Sequence, residues 1–133
     1  MSFTAPAEAR WCARDSSLEI LAVRGDSGFA LALYARDTLR AESYPAGPST
    51  NYAPTRPQAA AALRLVNPAQ LVGYESIGGI VTLSEAGPVS GSFEVLLRVS
   101  AGLDSLAVSG SFSALTVLPA APSCGRANKP GGG

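Results

Sequence analysis

Val89-Ser-Gly-Ser-Phe93 and Val108-Ser-Gly-Ser-Phe112 are the same pentapeptide, and each sits in a run where apolar and polar residues alternate. Side chains on a strand point to opposite faces with a period of two, so each run is a strand with one dry and one wet face. In the first run Val89, Gly91, Phe93, Val95, Leu97 and Val99 share a face. Ser90, Ser92, Glu94 and Arg98 share the other, with Leu96 the exception. In the second, Leu106, Val108, Gly110 and Phe112 face inward while Ala107, Ser109, Ser111 and Ser113 face outward. Two matched strands in succession form an antiparallel meander. Past Ala114 the apolar phase slips to Leu115 and Val117. A one-residue slip exchanges the faces, so a bulge or a change of sheet is expected near 113–115. The glycines at 91 and 110, each two residues before a phenylalanine, relieve crowding where the strands coil most strongly.

Working outward, Leu18, Ile20 and Ala22 alternate with Glu19, Leu21 and Val23. Arg24-Gly25-Asp26-Ser27-Gly28 supplies turn chemistry, and Phe29, Leu31 and Leu33 lead a return strand. This is a hairpin. A short strand is expected around Leu39–Tyr44. Residues 45–57 carry four prolines, and no ladder survives that density of missing donors. A loop of that length is either functional or poorly ordered. Ala59–Val66 fits a strand at least as well as a helix. Pro68-Ala-Gln-Leu71 suits one helical turn, and Val72–Ser76 and Ile80–Leu83 read as two strands parted by Gly78-Gly79. Eight or so short strands with evenly spaced turns define an all-β chain: a single antiparallel β-sandwich or closed β-barrel. The reading divides it into a lead-in at 1–10, a β domain at 11–124 with Trp11 its first anchored side chain, and a glycine-rich tail at 125–133.

The chain of 133 residues is one domain in size. Ten basic and ten acidic residues cancel, so no global field draws it to nucleic acid or an anionic membrane. No apolar run approaches the ~20 residues a spanning helix needs. Nine of the ten bases are arginine, which with abundant Ala, Gly and Pro reads as a GC-rich coding bias.

The two cysteines, Cys12 and Cys124, lie just inside the ends of the β domain. A disulfide between them is expected, closing a loop worth roughly 4–5 kcal/mol in the chain-entropy model; two unrelated thiols are the alternative. A terminal staple suits an oxidising compartment, so the reading favours export to the periplasm or cell surface. Met1-Ser-Phe-Thr-Ala-Pro6 has neither a basic n-region nor an apolar h-region, so the chain is expected to be a mature form or a cytosolic one.

Histidine is absent, which removes the commonest general base and metal ligand together. There is no Cys-x-x-Cys, phosphate loop or Gly-x-Ser-x-Gly elbow, and the acids are scattered without calcium-loop spacing. The expectation is therefore no enzyme, no cofactor and no metal. Arg24-Gly25-Asp26 matches an adhesive tripeptide at a hairpin tip; the plain reading is a strand end followed by a turn. Tyr44 and Tyr52 flank the proline-rich loop with Arg56 beside them. They are candidates for contact with a protein or ligand, or for pinning the loop to the domain.

Gly91-Ser-Phe93, Gly110-Ser-Phe112 and the late Cys124, about a third of the chain, resemble small bacterial envelope proteins of unknown function. That resemblance implies export and no known activity. The functional expectation is a non-catalytic structural or accessory β domain that contacts another protein, with a homo-oligomer as a further option, through an edge strand, the loop around 44–56 or the termini. The alternative is a small-ligand or carbohydrate-binding module using a barrel mouth.

Overall fold

The computed structural model describes residues 7–13, 16–25, 27–35, 38–48, 57–66, 71–99 and 104–119. Nine strands run through them: β1 Ala7–Cys12, β2 Ser17–Arg24, β3 Ser27–Tyr34, β4 Ser43–Pro45, β5 Gln58–Val66, β6 Leu71–Ala86, β7 Val89–Val99, β8 Ser105–Leu115 and β9 Val117–Pro119. Eight follow one path, β8-β7-β6-β5-β3-β2-β1-β9, and β4 pairs with β6 beside it. The chain is all-β, with no helix among the described residues. The sheet is an open, curled half-barrel of eight strands, which is not clearly either the sandwich or the closed barrel expected from the strand count.

The repeated pentapeptides pair with each other. Gly91 lies opposite Phe112, Ser92 opposite Ser111, and Phe93 opposite Gly110. A β-carbon added at Gly110 would stand 2.8 Å from the Phe93 ring, and one added at Gly91 would stand 3.0 Å from the Phe112 ring. Each copy therefore supplies the ring that covers the other copy's glycine. The Phe93 ring also stacks on Phe29 of β3, with centroids 5.0 Å apart, so the concave face is filled across its width. Around that pair the core holds Leu18, Leu31, Leu33, Leu63, Val81, Leu83, Val89, Leu97 and Val108.

The expected phase slip near 113–115 is present. Between Gly91↔Phe112 and Val89↔Leu115, Ser90 faces two residues, a bulge. Ala114 takes φ 52°, and its N–H donates to Ser90 Oγ at 2.8 Å. One residue beyond β8, across Thr116, the chain enters β9 and pairs in parallel with β1, at the far end of the sheet path. Two consecutive Cα–Cα steps span at most ~7.6 Å, so the two ends of the curled sheet meet at this corner.

Three expectations change. Val72–Ser76 and Ile80–Leu83 are one strand: Gly78-Gly79 follows a bulge at Ile77 and makes no turn. That extra residue moves the inward phase from Tyr74 and Ser76 to Val81 and Leu83. Gly79, at φ 111°, lies so close to Glu94 and Val95 that a β-carbon would collide with their backbone. The short strand expected at 39–44 is the three-residue β4. The sheet begins at Ala7, inside the segment read as lead-in, because Ala7 and Ala9 continue the inward phase of Trp11 and β1 pairs with β2 throughout. Pro68-Ala-Gln and the Gly125–Gly133 tail lie outside the described residues.

Candidate functional sites

Tyr44 is fully buried, so it reaches no partner from this position. Its hydroxyl donates to the Arg40 carbonyl at 2.8 Å and accepts the Arg40 N–H at 3.3 Å. It pins the 38–40 segment to the domain instead of displaying a ring. Burial raises its phenol pKa above the usual 10.0, opposed by the Arg40 backbone hydrogen bond. Tyr52 and Arg56 lie outside the described residues, as does Cys124. Cys12 is fully buried. Asp26 is likewise outside the described residues, while Gly25 adopts φ 62° as the hairpin turn requires.

The two ends of the proline-rich stretch are held at one place. Ala46 N–H donates to the Gly79 carbonyl at 2.9 Å and Gly47 N–H to the Ala59 carbonyl at 3.0 Å. Ser76 Oγ accepts the Ala61 N–H at 2.8 Å and donates to the Gly47 carbonyl at 2.7 Å. Ser76 thus fills the seam where β6 stops pairing with β5 at Ala62↔Glu75 and starts pairing with β4 at Pro45↔Ile80. A buried hydroxyl there satisfies two backbone groups that the parting strands leave.

The outer face carries an apolar trough over β2, β3 and β5. The ladder sets Leu21 beside Ala30, Ala30 beside Ala62, and Ala62 beside Glu75; one step along, Glu19, Ala32 and Ala60 line up. Two adjoining hollows of ≈ 290 and ≈ 580 Å³ share Leu21, Ala30, Ala62 and Glu75. Leu21 is 47% exposed and Val23 49%. Alanine is a poor strand former, and on a convex face nothing in the sheet itself calls for small side chains.

A third hollow of ≈ 500 Å³ opens at one end of the half-barrel. Trp11, Thr38, Leu39, Ala86, Gly87, Pro88, Thr116 and Val117 line it. Trp11, Leu39, Ala86 and Val117 also pack against the core from this side. Among the described residues no group of three or more His, Cys, Asp or Glu is placed to hold a metal ion. Among the described residues no helix is long and apolar enough to cross a membrane.

No family model, no curated protein and no solved structure matches the chain. The sites therefore stand on their own geometry. Sequence reading passed over the trough because its alanines look like composition; it offered a barrel mouth as an alternative without its lining, which comes from four separate segments.

Proposed function

We propose that the protein is a non-catalytic structural or accessory β domain that binds another protein, within a bacterial envelope assembly. The observation that carries this reading is the trough, a continuous apolar strip on the outer face whose floor is alanine and glycine and whose margin carries Glu19, Glu75 and Arg64. An exposed apolar strip with a charged rim is the usual make-up of a protein contact surface. Placement in the envelope rests on the expected Cys12–Cys124 staple and the resemblance given above. The meeting of the sheet ends at Thr116 supports reading the fold as an incompletely closed barrel in preference to a sandwich.

The test is the native particle size from the host under mild extraction, compared between wild type, Leu21→Arg and Ala62→Arg. Both positions are outward-facing, so the melting transition is expected to stay in place while a stoichiometric assembly is lost. Wild-type protein recovered as a lone 13.5 kDa species would end the reading.

A further inference from the structure

We propose that the hollow at the end of the half-barrel, walled by Trp11, is a binding site for an uncharged, largely apolar small molecule. This goes beyond protein docking and uses a different face.

The lining argues the ligand's chemistry. None of the eight described residues that line it is charged; their side chains are apolar apart from the hydroxyls of Thr38 and Thr116 and the indole N–H of Trp11. A charged ligand would lose its hydration there and gain no opposite charge from these residues, whereas a neutral one loses little. A hollow of ≈ 500 Å³ that is mostly apolar with a few polar groups matches the make-up of small-molecule sites. The large aromatic face offers a flat contact, and the exposed Thr116 hydroxyl stands at the rim for one hydrogen bond. The trough differs in that carboxylates line it.

The walls are also held. Tyr44 bonds both backbone groups of Arg40, which fixes the neighbouring Leu39 and Thr38 at the hollow. Ser90 of β7 sits between two bulges, one at Ser84 of β6 and one at Ser113 and Ala114 of β8. Ser84 Oγ donates to the Ser90 carbonyl at 3.1 Å, and Ser90 Oγ accepts from Ala114. Those bulges bend the hairpin at Gly87-Pro88 and the β8-to-β9 crossing, which both contribute lining. Tyr44 is thus a positioning residue for this site.

Trp11 is the only tryptophan in the chain, so tryptophan emission reports the hollow alone. The experiment titrates the full chain with N-phenyl-1-naphthylamine, a neutral apolar dye, and reads quenching of Trp11 with energy transfer to the dye. Saturable one-to-one quenching is expected. Leu39→Asp and Ala86→Phe should weaken it by about tenfold or more, one by charge and one by filling. Tyr44→Phe should weaken it less, and Leu21→Asp in the trough should leave it unchanged. Melting curves check that each variant is folded, and Ala86→Phe serves if Leu39→Asp is not. Unchanged Trp11 emission at saturating dye, equal binding by the filled and open forms, or loss of binding through Leu21→Asp would each overturn the proposal. The last result would place the dye in the trough, and none of these outcomes bears on assembly with a protein partner.

Discussion

The wall made by β6, β7 and β8 and the wall made by β2, β3 and β5 both use small residues, on opposite faces. In the first, Gly91 and Gly110 lie on the concave side, where phenylalanine rings from the neighbouring strand cover them, and the convex side carries Ser92, Ser109, Ser111 and Thr82 around an exposed Ile80 and Leu96. Bulges interrupt its ladders. In the second the concave side holds Leu18, Leu31, Leu33, Phe29 and Leu63 with Ala59 and Ala61 among them, while Ala30, Ala32, Ala60 and Ala62 lie outside on ladders without a register shift. Small residues inside are a packing requirement. Small residues outside, beside an exposed Leu21 and Val23, answer to no requirement within the chain, which is why they carry the docking proposal.

The sharpest way to break this comparison is Gly79→Ala. Position 79 combines φ 111° with a backbone collision, so a loss of about 4 kcal/mol or more is expected in denaturant unfolding. A variant as stable as wild type would mean that the first wall's glycines are interchangeable after all. Next comes Cys12→Ser, expected to cost about 2–5 kcal/mol if Cys12 pairs with Cys124. An unchanged midpoint, with both wild-type thiols alkylated in the absence of reductant, would remove the staple and with it the main support for export. In the second wall Gly28→Ala should be neutral or gain about 0.5–1 kcal/mol, since its β-carbon would meet only the Ala22 carbonyl at 3.8 Å. A clear loss there would show that the outer face needs its small residues for folding.

The smallest effect is alkaline. Burial raises the Tyr44 phenol pKa in the folded state above its unfolded value of 10.0. Its contribution is therefore whole below about pH 10 and is lost as pH rises through the folded pKa, because the unfolded phenol ionises first. Tyr44→Phe should show one proton less of that slope in unfolding measured from pH 9 to 11. An identical slope would mean that the phenol is not sequestered.

Much of the first wall was legible because its information is local. Alternation over 89–99 and 106–113 assigns faces without knowledge of neighbours, and the slip at Ala114 announces a bulge by the same rule. Alternation failed where one residue was added. Ile77 gives no sign that it bulges, so Gly78-Gly79 looked like a turn, although glycine at positive φ serves a bulge equally well. Tyr44 gave no sign of its burial either, since a tyrosine beside a proline-rich loop suits display and pinning alike. The lining of the mouth was hidden for a different reason, being drawn from residues 11, 38–39, 86–88 and 116–117.

By itself the sequence determined that the protein is all-β, where most strands lie, which residues of the unbulged strands face the core, and that the chain carries no histidine. These follow from residue type and a two-residue period, both readable within a single strand. Only the tertiary structure decided that the strands form one curled sheet whose ends meet at Thr116, that the repeated pentapeptides cover each other's glycines, and that the alanines of β3 and β5 share a strip with Leu21. Those depend on which strand neighbours which and in what register. Pairing joins residues far apart in the chain, and local alternation is the same whichever neighbour a strand takes.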